Sequence, residues 1–239
     1  MGDMSRAVAL SDSAAFGVAA PSKALLAGEV GAFLHMRWAA AFGRVVPMSI
    51  EGEGRPVLVL PGFMASDNTT ARLRRSLAGA GFAVHGWGLG RNMGVSADML
   101  EAIDRRVSAI GSDRPVTLVG WSLGGLIARE YAKLAPDRVS RVITMGSPFS
   151  GDPRANNAWR VYERVAGHPV DRPPVTCILS EKPSVPTIAC WSARDGVVAP
   201  ASARGQDGER DLALEFDCTH MAFIADPKAI RTIARLIVG

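Results

Sequence analysis

Ser122 stands between glycines in Gly120-Trp121-Ser122-Leu123-Gly124, directly after the apolar stretch VTLV at 116–119 and directly before helix-forming sequence. A serine hydroxyl is a poor nucleophile until a base takes its proton and a third group orients that base. The chain has four histidines. His220, in DCTHMAF, follows the apolar run 212–217 and precedes a helix-type segment, which suits a base carried on a strand-end loop. His35 falls in helical sequence, His85 in a strand before the serine and His168 in a turn-rich loop, so all three read as packed or surface imidazoles. Asp195, in CWSARDGVV, has the place of the orienting acid, because Asp-Gly is a turn signal that would hold the carboxylate at a strand end. Asp152, in MGSPFSGDP after the preceding strand, is the alternative acid. Asp217 and Asp226 read as a strand-end turn residue and a surface helix residue. The resulting order is serine, acid, histidine. Negative charge developing beside Ser122 would meet the Leu123 amide at a helix N-terminus. A second amide should come from LPGFMAS, where Pro61 ends a strand and Gly62 turns the backbone; Phe63 N–H is the choice, with Met64 as its neighbour.

These residues need a scaffold that brings distant strand ends together. Apolar runs at 57–60, 82–86, 116–119, 139–145, 186–191 and 212–217 alternate with helix-type segments at 70–79, 96–110, 123–135, 155–166 and 221–237. That alternation predicts parallel strands joined by crossover helices, a doubly wound α/β sheet of about six to seven strands whose ligands sit at the strands' carboxyl ends. From Pro21 to Phe42, Leu25, Leu26, Val30, Phe33, Leu34, Trp38 and Phe42 recur at helical spacing, so residues 1–45 read as a helical extension and 46–239 as the main domain. The extension's helix should pack on that domain; attachment to a membrane surface is the second reading, with only Lys23, Arg37 and Arg44 to favour it.

Phe63, Met64, Trp87, Met93, Trp121, Phe149, Trp159, Met221 and Phe223 lie on or beside strand-end loops and predict an apolar acyl pocket. The net charge of +4 is spread over dispersed arginines among 23 acidic residues, which argues against a nucleic-acid partner. GWGLGRNMG at 86–94 departs from the dinucleotide fingerprint because Met93 occupies the position required of a glycine. No P-loop, zincin motif or metal-type cysteine spacing occurs, so the reading includes no cofactor and no metal. Cys177, Cys190 and Cys218 cannot all pair with one another, and MGDMSRAVALSDSAAF lacks the charged start and long apolar centre of a secretory leader. The expectation is a cytoplasmic protein.

With LPGF, GWSLGG, SARDGVV and CTHMAF in this order, the chain from about 55 to 239 resembles the α/β-hydrolases of the esterase and lipase kind. The resemblance implies an acyl-enzyme formed on Ser122, with His220 as base, Asp195 as its partner, and Phe63 and Leu123 as oxyanion donors. It leaves the acyl group unspecified. Thioester hydrolysis, or transfer of the acyl group to an alcohol or amine, would use the same residues; a non-catalytic binding module would have no need of all three. The sequence departs from the family in offering only MSIEG at 48–52 as a strand ahead of the oxyanion loop, and in lacking a large inserted cap. A reduced sheet with a small lid is therefore expected.

Overall fold

The computed structural model describes residues 18–239. The stretch MGDMSRAVALSDSAAF at the start of the chain lies outside the described residues. Six strands, β1 (Pro56–Leu60), β2 (Ala83–Gly86), β3 (Val116–Trp121), β4 (Val139–Met145), β5 (Thr187–Trp191) and β6 (Leu212–Glu215), form one sheet in the order β2-β1-β3-β4-β5-β6. Every pairing is parallel. The helices are α1 (Lys23–Phe42), α2 (Ala71–Gly79), α3 (Met99–Ile110), α4 (Leu123–Leu134), α5 (Trp159–Ala166), the short α6 (Pro200–Arg204) and α7 (Pro227–Val238).

β1, β3 and most of β4 are apolar and fully buried because both faces of the sheet are covered. Val57, Val59, Val119 and Ile143 point into a core closed by α1, α2 and α7. Leu58, Leu60, Leu118 and Val142, one residue out of phase, point into a second core closed by α3 and α4. The chain order turns back at β1, since β2 lies outside it and β3 on the other side, and this is where an open parallel sheet leaves a crevice beyond its strand ends.

Three details differ from the sequence reading. MSIEG at 48–52 forms no strand: Gly52 N–H donates to the Ala80 carbonyl in an irregular segment, so the sheet has six strands among the described residues. The segment 221–237 is broken, with a 3-10 turn at Met221–Ile224 before Asp226 caps α7 by accepting from the Lys228 and Ala229 amides. The segment 155–166 becomes α-helical only at Trp159, because Asn156 instead bridges to Val198.

α1 starts at Ser22, whose hydroxyl accepts from the Leu25 amide. It crosses the carboxyl edge of the sheet. Its beginning is tied to the segment before α5 by Asn157 Nδ2 donating to the Pro21 carbonyl at 3.0 Å, and its end to α2 by Arg75 donating to the carbonyls of Ala40 and Gly43. Met36 and Ala39 join the core shared with β1 and α7, while Val30, Leu34, Trp38 and Phe42 face outward along one stripe. No helix among the described residues is long and apolar enough to cross a membrane.

Ile233 of α7 is fully buried in the first core. Ile233→Ala should lower the unfolding free energy by about 2–5 kcal/mol in a urea titration, and a loss below about 1 kcal/mol would contradict this packing.

Candidate active site

β3 ends at Trp121 and α4 begins at Leu123, leaving Ser122 to turn the chain with φ +54° and ψ −122°. A residue with a side chain in that region is strained by about 1–3 kcal/mol. The surroundings enforce it: Ser122 N–H donates to the Met145 carbonyl at 2.8 Å, and its carbonyl accepts from Gly125 N–H at 3.0 Å. The flanking glycines let strand and helix close together, since a Cβ on Gly120 would run into the Gly125 Cα and one on Gly124 into the Leu60 carbonyl oxygen. Ser122 is consequently half-buried and lines a cavity.

His220 and Asp195 meet on the neighbouring strand ends. His220 Nδ1 lies 2.7 Å from Asp195 Oδ2, with both side chains almost wholly buried. The other carboxylate oxygen accepts from the amides of Val197 and Val198, each at 2.8 Å, which fixes the Asp195 side chain inside its own turn. Ser192 Oγ donates to the Cys218 carbonyl at 2.5 Å and ties the acid turn to the histidine turn. Gly146, at the end of β4, leaves room for the pair: a Cβ there would stand 2.9 Å from both Asp195 Oδ2 and His220 Nδ1. Next to the serine, Trp121 Nε1 donates to the His220 carbonyl at 3.1 Å, and the two rings lie 5.5 Å apart. Among the described residues, no hydrogen bond within 3.5 Å joins Ser122 Oγ to the His220 ring in this structure; such contacts in unliganded sites are often long and tighten when substrate is held.

Burial pulls the His220 pKa down. The Asp195 carboxylate, its hydrogen bond to the ring and the nearby Glu29 carboxylate together outweigh that effect and hold it above the ordinary histidine value. The alternative acid is not near: Asp152 is exposed and accepts from the Arg154 amide in its own turn. Asp217 pairs with Arg194 at the surface. His168 bonds the Val95 carbonyl and Tyr162, away from the serine.

Gly62 brings the loop after β1 against the elbow, where a Cβ on it would sit 3.1 Å from Ser122 Cβ. Asn92 is buried under this loop, donating from Nδ2 to the Pro61 carbonyl at 2.9 Å and accepting at its own carbonyl from Met64 N–H at 2.6 Å. The Met64 amide is thereby used, whereas the Phe63 amide has no backbone acceptor among the described residues. The Leu123 amide opens α4, where first-turn N–H groups lack intrahelical partners.

A cavity opens beside Ser122. One wall is the face of α4 formed by Leu123, Leu126, Ile127 and Glu130; the opposite wall is Trp159 and Tyr162 of α5 with Val170, Val175, Cys177 and Leu179 from the segment leading to β5. This 40-odd-residue stretch between β4 and β5 is the small lid. It is tied down by Tyr162 Oη accepting from Val95 N–H at 3.2 Å.

Of the apolar residues singled out in the sequence, Phe63 and Trp159 line the cavity. The others do not. Met64 and Met93 are exposed outside it, and Trp87, Phe149 and Phe223 are buried in the core, with Phe149 under the Arg129 guanidinium. Trp121 and Met221 pack behind His220 in the first core. Proximity to a strand end does not reveal which face a side chain takes. The α4 wall was not singled out in the sequence, although Leu123, Leu126, Ile127 and Glu130 recur there at helical spacing after Ser122.

One polar residue of this region has no motif to mark it. Glu29 of α1, 4% exposed, accepts from Gly196 N–H at 2.9 Å, His220 N–H at 2.7 Å and Met221 N–H at 3.1 Å. Its only signal in the sequence is that it is the sole acidic residue between Asp12 and Glu51.

The model of the alpha/beta hydrolase fold family matches residues 55–168. A pimeloyl-[acyl-carrier protein] methyl ester esterase of Photobacterium profundum is 34% identical over 116 residues, 46% of this chain and 43% of that protein. The matched stretch thus spans less than half the length of this curated relative. The monoacylglycerol lipase of Paleococcus ferrophilus superposes with a TM-score of 0.56 at 17% identity, over 80% of this chain and 96% of its own. A Bacillus subtilis carboxylesterase gives 0.56 at 14% identity, over 87% and 97%. The six-stranded parallel sheet with its strained elbow after β3 has the α/β-hydrolase fold of these solved structures, and residues 55–168 match the model of that fold family.

Proposed function

We propose that the protein is a serine hydrolase of carboxylic esters. His220 takes the proton of Ser122 as Oγ attacks the ester carbonyl, and the amides of Phe63 and Leu123 stabilise the oxyanion. Asp195 holds the imidazole so that its second nitrogen serves as the base. The alcohol leaves with the proton that His220 returns to it, and water activated by the same imidazole releases the acyl group from Ser122. The observation that carries this reading is the buried 2.7 Å contact of Asp195 with His220 on the strand ends beside the strained Ser122 elbow.

The substrate class follows from the cavity wall. It is overwhelmingly apolar, with Glu130, Tyr162 and Cys177 as its ionisable groups. Glu130 is engaged with Lys133 at 2.8 Å, and burial pushes its carboxyl and the Cys177 thiol upward in pKa. Such a wall favours an uncharged, medium-chain or lipid-like acyl group. The curated relative, named as a methyl ester esterase, supports an ester as the bond cleaved.

Ser122→Ala should reduce hydrolysis of a medium-chain p-nitrophenyl ester by at least about a thousandfold. Turnover within tenfold of wild type would remove Ser122 from the mechanism. The pH dependence has a definite sign. The base must be neutral, and because His220 is held above the ordinary histidine value of about 6.5, kcat/KM should fall as pH drops through a limb lying above pH ~6.5. A limb below that value, or a flat profile, would contradict the role of His220.

A further inference from the structure

Glu29 is a buried carboxylate placed close to a second buried carboxylate, Asp195, around one imidazole. Two like charges in so small a volume are unfavourable unless both are well bonded and something between them gains a positive charge. The first condition is met. Glu29 Oε1 accepts from the Gly196 amide of the acid turn and from the His220 amide, and Oε2 accepts from the Met221 amide. One side chain therefore bonds the backbone next to Asp195 and the backbone of His220 itself, across 167 and 191 residues of sequence. Fastening α1 to the protein does not require this aim, since Met36, Ala39 and the Arg75 contacts already do it.

We propose that Glu29 is a positioning residue for the hydrolysis: it clamps the acid and histidine turns in register and adds a second negative charge that favours the imidazolium formed as Ser122 attacks. This rests on the serine-hydrolase reading, and it makes α1 part of the working site. The groups surrounding His220 are few. Asp195 faces it from the turn after β5, Glu29 from α1, and the uncharged Trp121 ring from β3. The buried Cys218 thiol lies on its own turn and is driven to high pKa, first by burial and then by the neighbouring carboxylates. The Arg194–Asp217 pair lies exposed at the outside of the two turns. Glu29 and Asp195 are thus the two anions that raise His220, against the opposing effect of burial.

The test is Glu29→Gln, which retains shape and one acceptor oxygen but removes the charge and turns an amide N–H₂ towards one of the three donors. Two readouts are taken. The first is the NMR titration of the His220 ring, assigned against His220→Asn, which needs no substrate. The second is the pH dependence of ester hydrolysis. The His220 titration and the acid limb should both move to lower pH by about 0.5–1 unit, and kcat should fall about tenfold or more with KM changed by less than about threefold. Glu29→Asp, which keeps the charge, should titrate nearer to wild type than Glu29→Gln does. Unchanged titration with only a lowered Tm would overturn the proposal and reduce Glu29 to a structural anchor. If Glu29→Gln does not fold, amide exchange in the wild-type protein decides: Gly196, His220 and Met221 amides should be protected, and exchange as fast as in exposed loops would overturn the clamp. A wild type inactive on esters whose His220 still shifts in Glu29→Gln would refute the hydrolase reading while retaining the electrostatic part of this one.

Discussion

The hydrogen bond between Asp195 and His220 is the constraint around which the carboxyl edge of the sheet is organised. Removing one partner from a buried pair of this kind costs about 3–5 kcal/mol, because the other is left without a partner in a place water cannot reach. The chain meets that requirement with short connections. β4, β5 and β6 lie side by side, so the turns leaving them are neighbours before any side chain is placed. Gly146 clears the space, Ser192 joins the two turns, and the Val197 and Val198 amides hold the carboxylate in one rotamer. Ser122 is fixed by a different route, through backbone bonds that hold a strained φ at the end of the neighbouring β3.

Polar and apolar requirements are separated in space. The cavity lies on the α4 and α5 side of Ser122 and is lined by hydrocarbon, whereas the Asp195–His220 pair is backed by α1 and the first core. An ester held between them would have its acyl chain in an apolar slot and its carbonyl beside fixed amide dipoles, an arrangement in which little must reorganise as charge develops. α1 joins the two halves, since it begins against the segment before α5, bonds the acid and histidine turns in its middle, and ends on α2.

Most of this fold was legible in the sequence because a parallel sheet buried on both faces writes itself as short apolar runs, and because crossover helices write themselves as amphipathic segments between them. All six strands fall where the apolar runs predict, to within two residues at each end. MSIEG failed because alternation over five residues says nothing about whether a neighbouring strand edge is free to receive it. The Asp195–His220 contact and the elbow at Ser122 were legible because each of these residues stands at a strand end beside glycine or turn-forming residues, while Asp152 stays at the surface. The pocket was legible only in part. Trp87 and Phe149 have the right chemistry and the right neighbourhood in the chain, yet they pack inward, since hydrophobicity draws a side chain to a core and to a cavity wall alike. Glu29 was marked only by being the lone acid between Asp12 and Glu51, because its partners are backbone amides and leave no pattern in residue types.

In the proposed mechanism the imidazole of His220, held by Asp195, activates the hydroxyl of Ser122. Peptide mapping by mass spectrometry after exposure to a fluorophosphonate, on folded wild-type and His220→Ala protein, tests it most directly. A single adduct is expected, on the peptide containing Ser122, that forms in the wild type and is lost or slowed at least about a hundredfold in the variant. Modification of another residue, or equal labelling of both proteins, would contradict it.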